Sequence, residues 1–390
     1  MPDTVRVTSR QSWLSRLGKA VAGVVVGLAM IVAAFPLLWW NEGRAVHRAR
    51  SLEEGANVVV SIRADSVSAA NEGKLVHASA LATTEETLTD PDFGIAGAAI
   101  RLSRIAETYQ WREESSSQKR KKLGGGEETT TTYRYKKAWA REHVDSSSFH
   151  SPSGHENPAG LEWESRTLTA RQVTFGAFTL PPEMVSKIGG SQARPVEESD
   201  EAKMQALGFR AADGGTFFKG RNPSDPEVGD VRVRFEVALP QTISIVAAQR
   251  GSSFETYQAR AGSGILLLED GEVSAAEMFE AARTANTITT WLLRGAGFLA
   301  MFIGLLLVVR PIAVAGSVVP LLGSLVGAGT GLLSFLVALA LSLTTVGIAW
   351  IVYRPLLAAG LLVAAAGAMT LLMRRRRPKQ VVPPPLPVAR

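Results

Sequence analysis

Two apolar regions near the ends of the chain predict its membrane segments. The run Val21–Trp40 contains no charged residue, and its length matches the roughly 20 residues that a helix needs to cross a bilayer. Between Gly295 and Thr370 only Arg310 and Arg354 carry charge. Because backbone polar groups in lipid must be paired within their own segment, both regions predict membrane-spanning helices.

These runs predict a membrane protein with four helical spans in a 1 + 3 arrangement. The expected order is a cytoplasmic N-terminus (1–19), a first span (20–40), an extramembrane domain (41–290), further spans (292–310, 331–352 and 355–373) and a basic, proline-rich cytoplasmic tail (374–390). The apolar, glycine-rich connection 311–330 is expected to re-enter the membrane or to lie at its interface. A fifth full span at this connection is the alternative.

The orientation is predicted from a run of arginines that follows the last apolar segment, Arg374, Arg375, Arg376 and Arg377. Positive charge beside a span is typical of the cytoplasmic side. With an even number of spans both termini are then cytoplasmic, and the large domain faces the outer or lumenal side.

The middle of the chain has the alternating and β-branched pattern of strands separated by turn residues. It predicts a mostly antiparallel, β-rich (α+β) domain, with strands that include 56–62, 100–111, 131–140 and 230–239. Residues 114–132 contain one large apolar side chain, Leu123, and are predicted to form a mobile hairpin tip. A helix over 275–290 is expected to continue almost directly into the second span.

Composition narrows the possible chemistry. The chain has 390 residues, no cysteine and a net charge of +6, so disulfides, thiolate metal sites and cysteine nucleophiles are excluded. Since four of the positive charges lie beside a span, we expect no nucleic-acid partner. Neither a GxSxG motif nor a phosphate-binding loop is present. We therefore expect no enzyme and no cofactor.

Weak metal-binding candidates remain, because imidazole and carboxylate groups are good ligands for zinc or calcium. They are His143, His150, His155, Asp90 and Asp92. The histidine spacings do not place these rings on one helical face. The segment TDPDFG around Asp90 and Asp92 has the composition of an ordinary turn.

Glycines four residues apart let two helix backbones approach closely. The expected helix-packing or subunit-contact positions are Gly23, Gly27, Gly323, Gly327, Gly331 and Gly360. Packing within one bundle and packing between subunits both fit this pattern.

Several segments, in their order along the chain, resemble the LUMA family of four-span membrane proteins. They include NEGRAV (41–46), NEGKLVH (71–77), LTDPDFGI (88–95), NPSDPEVGDVRV (222–233), ILLLEDGEVSAAEMF (265–279) and YRPL (353–356). The resemblance implies an integral membrane protein whose eukaryotic relatives reside in the endoplasmic reticulum and inner nuclear membrane. It implies no catalytic residues. The basic, alanine-rich style of this chain predicts a bacterial homologue in the inner membrane.

The leading hypothesis is a non-enzymatic scaffold that self-associates, contacts membrane lipids and organises other membrane proteins through its extramembrane domain. A second hypothesis is a channel-like or lipid-handling protein that uses the 311–330 connection. A third is an envelope-stress sensor that depends on calcium or another metal and uses Asp90, Asp92 or the histidines.

Overall fold

A computed structural model describes residues 3–122, 124–318 and 320–375. The chain forms two compact units. The sheet unit contains the chain up to Val21 together with His47–Ile288 and Pro311–Gly327. The helical unit contains Ala22–Val46, Thr289–Arg310 and the chain from Ala328 onward.

The helices of the described residues are α1 (Trp13–Val58), α2 (Pro182–Val185), α3 (Glu198–Ala206), α4 (Ala275–Ala315), α5 (Pro320–Tyr353) and α6 (Pro355–Arg375). The strands, in chain order, are β1 (Thr4–Gln11), β2 (Val60–Ser61), β3 (Leu75–Thr83), β4 (Thr87–Thr89), β5 (Ala96–Ala98), β6 (Arg101–Lys121), β7 (Glu127–Ala140), β8 (Arg166–Thr169), β9 (Thr174–Phe175), β10 (Phe178–Thr179), β11 (Ser191–Ala193), β12 (Arg210–Ala212), β13 (Thr216–Lys219), β14 (Val231–Ala238), β15 (Gln241–Arg250), β16 (Ser253–Glu255), β17 (Tyr257–Gln258), β18 (Gly264–Ile265) and β19 (Leu267–Asp270).

Two larger sheets form the sheet unit, and the prediction of a mostly antiparallel β domain is confirmed. The first sheet has the order β1-β7-β6-β14-β13-β12, with β8 beside β6 and β11 beside β14. The second has the order β10-β9-β3-β15-β16, with β19 beside β15 and β2 beside β3. The main core contains side chains of both sheets, among them Val233 and Phe235 of β14 and Ile243 and Ile245 of β15.

The N-terminal segment corrects one predicted boundary. Residues 1–19 were expected to form a separate cytoplasmic segment, but β1 pairs antiparallel with β7, from Thr4 opposite Arg134 to Gln11 opposite Glu127. The sequence TVRVTSRQ alternates β-branched and polar residues, which suits a strand at a sheet edge. Residues 4–11 therefore form the outer strand of the first sheet.

The region 114–132 is also more regular than predicted. β6 and β7 form a continuous ladder that extends to the pair Lys121 and Glu127, and the run of threonines in β7 favours a strand despite its polarity. The tip is closed by a hydrogen bond from the Lys122 amide to the Gly126 carbonyl, 2.8 Å, and Gly124 has a φ of 81° that suits glycine. We call β1, β7 and the outer part of β6, from Glu113 onward, the ribbon.

The first turn of α1 holds the tip of the ribbon. Trp13 packs so closely on Gly125 that a Cβ there would lie 2.5 Å from the indole ring. Arg16 donates to the Gly125 carbonyl and forms an ion pair with Glu127, at 3.3 Å. Trp13 Nε1 also donates to the Val314 carbonyl, at 3.0 Å.

Three helices of the described residues are long and apolar enough to cross a membrane: α1, α4 and the part of α5 from Val326 to Tyr353. The apolar part of α6, Pro355–Thr370, is shorter, so the four-span 1 + 3 arrangement stays a prediction. The expected continuation of the 275–290 helix into the second span is confirmed by the single helix α4.

Two predicted regions of these helices differ in detail from the structure. The connection 311–330 is largely helical, since α4 continues to Ala315 and α5 begins at Pro320, and its re-entrant or interfacial placement stays a prediction. The strand predicted at 56–62 is replaced by the last turn of α1 and the two-residue strand β2. Leu52, near this end of α1, is buried against Phe279 and Ile265, so packing favours continuation of the helix.

Candidate functional site

The helical unit buries one carboxylate, Glu42. It lies on α1, two residues after the predicted end of the first span, and its side chain is fully buried. It is also the only acidic residue in the sequence of the helical unit. Burial of an unpaired carboxylate is unfavourable in free energy. The partners of Glu42 therefore define a candidate site.

Arg294 of α4 pairs with Glu42 through two nearly parallel hydrogen bonds. Arg294 Nε donates to Glu42 Oε1 at 2.6 Å, and Nη2 donates to Oε2 at 2.8 Å. Trp350 Nε1 of α5 donates to the same Oε2 at 2.8 Å. The Arg294 guanidinium also lies 4.8 Å from the ring centre of Trp291 and 5.7 Å from that of Trp350. The site thus joins α1, α4 and α5 through one charge pair.

Neighbouring residues of the NEGRAV segment extend this network. Asn41 Nδ2 donates to the Thr290 carbonyl at 3.1 Å, and Arg44 Nη2 donates to Asn41 Oδ1 at 3.2 Å and to Thr290 Oγ1 at 3.0 Å. A Cβ at Gly43 would lie 2.8 Å from the ring of Tyr353, so this close approach requires glycine. Two segments that carry the family resemblance, NEGRAV and YRPL, therefore meet at one place.

Aromatic side chains surround this end of the helical unit. Trp39 contacts Tyr353 edge-to-face, with ring centres 5.8 Å apart, and the rings of Trp40 and Trp291 are largely exposed. Tryptophan and tyrosine are enriched where spans meet the membrane–water interface. The Glu42 site accordingly has the composition of an interfacial layer.

The predicted glycine positions divide into two groups. A Cβ at Gly27 would lie 2.5 Å from the Gly304 carbonyl oxygen, and one at Gly23 would touch Leu307 at 3.7 Å. α1 and α4 therefore cross closely at Gly27 and Gly304, and Gly23 lies near the same crossing. At Gly327, Gly331 and Gly360 a Cβ would meet no atom of the described residues within 4 Å. The surroundings of Gly323 lie outside the described part.

The three candidate histidines are engaged separately. His155 is buried and stacks on Tyr135, with ring centres 3.8 Å apart. His150 stacks on Tyr133 at 4.2 Å, and His143 Nε2 lies 2.8 Å from the Pro158 carbonyl oxygen. The described residues hold no group of three or more histidine or acidic side chains arranged to bind a metal ion. The rings of His150 and His155 instead pack the loop that follows β7 against β7 near the base of the ribbon.

Asp90 and Asp92 share the cation of Arg104. Arg104 Nη1 lies 2.7 Å from Asp90 Oδ1 and 2.7 Å from Asp92 Oδ2. Asp90 Oδ1 also accepts the backbone N–H groups of Asp92 and Phe93, at 3.1 and 3.0 Å. These carboxylates close a turn and neutralise a buried arginine, as the alternative interpretation of ordinary turns requires.

Two of the four predicted arginines lie at the end of α6. Arg374 and Arg375 end α6, whereas Arg376 and Arg377 lie outside the described residues. Sequence reasoning did not select the Glu42, Arg294 and Trp350 site. The sequence contained a signal for this pair. Glu42 directly follows a predicted span and needs a cationic partner near the membrane, and Arg294 directly precedes the apolar run of another span.

Apolar helices of spanning length beside a β-rich domain define an integral membrane protein, and the Glu42 site binds three of its helices together. The chain matches the sequence profile described as "Transmembrane protein 43" over residues 108–355. It is 35% identical over 370 residues to "Transmembrane protein 43" of Mus musculus, covering 92% of this chain and 91% of that protein. The chain therefore belongs to the transmembrane protein 43 family, and the LUMA resemblance, which names the same family, is confirmed.

Other relatives agree with this assignment. The identity to "Transmembrane protein 43" of Homo sapiens is 34% over 365 residues, 91% of this chain and 90% of that protein. The "Transmembrane protein 43 homolog" of Drosophila melanogaster is 32% identical over 348 residues, 86% of this chain and 90% of that protein. No solved structure matches the chain.

Proposed function

We propose that this protein is a non-enzymatic membrane scaffold that self-associates through the ribbon and recruits other membrane proteins to its extramembrane domain. The observation that carries the proposal is the pair of open strand edges on the ribbon. A strand edge with free backbone groups is a template for pairing with another chain.

The outer edge of β6 is open over the ribbon. Its partner β14 pairs only as far as Thr108, and beyond it Tyr109 and Trp111 donate their N–H groups to Asp230 and Asn157. Because backbone groups alternate between the two edges of a strand, the N–H groups of Glu113, Ser115, Ser117 and Lys119 face the same way. These groups have no hydrogen-bond partner among the described residues.

The second open edge is that of β1. Since Tyr135 donates its N–H to the Asp3 carbonyl, the alternation directs the N–H groups of Arg6, Thr8 and Arg10 away from β7. In the described part of the chain no strand lies beyond β1. The ribbon therefore offers two different edges, which run parallel to each other because both strands are antiparallel to β7.

Contact between unlike edges is compatible with insertion in one membrane. Copies related by rotation about the membrane normal share one orientation, and a contact between two different surfaces then generates a ring. Pairing β6 of one copy with β1 of the next would satisfy both edges. The exposed charges of the ribbon, such as Arg10 and Lys119, fit controlled pairing better than indiscriminate aggregation.

Residence in a bacterial inner membrane, with the basic C-terminal tail in the cytoplasm, belongs to the same proposal. The arginine run after the last apolar segment supports the cytoplasmic tail, and the basic, alanine-rich composition supports the bacterial membrane. Asp90 and Asp92 both contact Arg104, so this turn adds no support to the metal-sensor hypothesis.

Cysteine cross-linking tests the self-association directly, because the chain has no cysteine of its own. Ser117→Cys and Ser9→Cys proteins, tagged differently and expressed together, should form mixed disulfide-linked dimers in intact membranes treated with a mild oxidant. Ser117 lies opposite Thr131 and Ser9 lies opposite Thr129, so both side chains are on the same face of the ribbon. Dimers of Ser117→Cys with itself would indicate a symmetric contact between like edges and would contradict the pairing of unlike edges.

Proline substitutions provide the matched control. Ser117→Pro and Thr8→Pro remove an outward N–H group, whereas Ser117→Ala and Thr8→Val keep it. Native mass spectrometry in mild detergent should show loss of the oligomer for the proline variants alone. A protein that is monomeric in membranes and yields no mixed dimers would overturn the proposal.

A further inference from the structure

A cavity of about 310 Å³ opens within the helical unit beside the Glu42 site. Its lining comes from three helices, with Leu38 of α1, Phe298 of α4 and Leu339, Leu343 and Val346 of α5 among its apolar side chains. The hydroxyl of Ser342, which also lines it, donates to the Leu339 carbonyl at 3.1 Å. The body of the cavity is therefore a slot for hydrocarbon.

The cavity is elongated and has one polar end. Its lining on α5 extends from Leu339 to Trp350, which is about 16 Å at the helical rise of 1.5 Å per residue. Arg294, Trp291 and Trp350 form the polar end. An apolar slot with a cation and two indoles at one end has the polarity of a single lipid, with its chain in the slot and its headgroup at the interface.

The charges at this end favour an anionic headgroup. Arg294 donates hydrogen bonds from Nε and Nη2 to Glu42. Its Nη1 has no hydrogen-bond partner among the described residues. Arg44 lies in the adjoining network, where it donates to Asn41 and Thr290. Two arginines, Arg44 and Arg294, thus accompany the single carboxylate at this end, which leaves a net positive charge.

We infer that this cavity binds one acyl chain of an anionic phospholipid and that Arg294 Nη1 donates to the phosphate of that lipid. A guanidinium is well suited to phosphate oxygens, and its hydrogen bond is strengthened by charge. The Glu42 pair fixes the orientation of the guanidinium. The lipid then becomes a stoichiometric part of the membrane unit, a property that the scaffold proposal does not require.

Native mass spectrometry of the full-length protein tests this inference. The detergent-purified protein is mixed with equal amounts of phosphatidylglycerol and phosphatidylcholine, and the retained lipid is identified. We expect one phosphatidylglycerol per chain, preferred by about tenfold, as one charge-assisted hydrogen bond would give. Equal retention of the two lipids by the wild-type protein would overturn the inference without any variant.

Two variants separate the slot from its polar end. Ser342→Phe fills the slot and leaves the Glu42 site in place, so it should lose the bound lipid. The double variant Glu42→Gln with Arg294→Gln should keep a lipid but lose the preference for phosphatidylglycerol. Lipid retention by Ser342→Phe at the wild-type level would contradict the proposed location.

Thr345→Phe is the matched control. Thr345 also lies on α5 and donates to a backbone carbonyl, that of Leu341 at 2.7 Å, but it lines a different cavity beside Phe35 and Trp39. Its lipid retention should equal that of the wild type. If Ser342→Phe changed the subunit number and left lipid retention unaltered, the slot would be occupied by a second copy of the chain, and the inference would be wrong.

Discussion

Glu42 and Arg294, 252 residues apart in the sequence, are joined by two short hydrogen bonds that align a carboxylate with a guanidinium. The bonds measure 2.6 and 2.8 Å, and Glu42 is fully buried while Arg294 keeps only 17% of its side chain exposed. Such a pair fixes the relative positions of two helices, because neither charge can be left in an apolar setting without its partner.

Removal of either Glu42 or Arg294 alone should therefore destabilise the protein more than removal of both. Glu42→Ala should destabilise the detergent-solubilised protein by about 3 to 5 kcal/mol, since an uncompensated buried arginine remains. The double variant Glu42→Ala with Arg294→Met should recover most of this loss. Thermal unfolding of the three proteins provides the measurement.

Trp350→Phe is the control for this prediction. It removes one hydrogen bond to Glu42 and leaves the charge pair intact, so a loss of about 1 kcal/mol is expected. If the double variant Glu42→Ala with Arg294→Met were as unstable as Glu42→Ala alone, the charge pair would not constrain the helices.

The sequence predicted the parts of this fold that depend on local pattern. The apolar runs located α1 and α4, and the alternation of residues located most strands of the sheets, because these signals arise from neighbouring positions in the chain. Pairing across long separations was not predictable in this way. β1 was missed since Thr4–Gln11 is too short and polar to indicate which strand it joins. Glu42 and Arg294 were missed because their partnership exists only after α1 and α4 have packed.

The close crossing of α1 and α4 gives a prediction in which one substitution has opposite effects at two glycines. Gly27→Ala places a methyl group 2.5 Å from the Gly304 carbonyl oxygen and should destabilise the protein by about 1 to 3 kcal/mol. Gly331→Ala meets no described atom within 4 Å, and it should be neutral or stabilise by up to about 1 kcal/mol, because glycine weakens a helix interior.

Thermal unfolding in one detergent compares the two variants under the same conditions. Equal losses at Gly27 and Gly331 would mean that both glycines lie at contacts, either within the bundle or between subunits. That result would argue against the division of the predicted glycines into two groups.

The place of the N-terminal strand can be checked with a designed disulfide. Ser9 lies opposite Thr129 in the β1–β7 pair, and side chains of directly opposed residues share one face of the sheet. Ser9→Cys with Thr129→Cys should form an intramolecular disulfide in membranes, detected by gel mobility with and without reductant.

The mismatched pair Ser9→Cys with Thr132→Cys tests the register. Thr132 lies opposite Arg6, about 10 Å further along the strand and on the other face, so no intramolecular bond is expected. Equal cross-linking of the two pairs would contradict the register, and absence of the first bond would return residues 4–11 to the separate segment that the sequence predicted.

The base of the ribbon should show a distinct response to alkaline pH. Burial raises the pKa of Tyr135 above its ordinary value of 10.0, and the hydrogen bond to Glu113 raises it further. The Tyr135 hydroxyl donates to Glu113 Oε2 at 2.8 Å and accepts the Ser151 N–H at 2.9 Å. The pKa of Tyr135 is thus higher in the folded protein than in the unfolded protein. The contribution of the protonated Tyr135 hydroxyl to stability is therefore complete below pH 10, and it is lost as the pH rises through the folded pKa.

Absorbance of tyrosinate during an alkaline titration measures this effect. The chain has five tyrosines, and Tyr135→Phe should remove a phase that ionises at higher pH than a free tyrosine does. Glu113→Gln keeps a hydrogen-bond acceptor but removes the negative charge, so it should move that phase to lower pH. If the phase persisted in Tyr135→Phe, another tyrosine would be responsible, and the contact between Tyr135 and Glu113 would not control the ionisation.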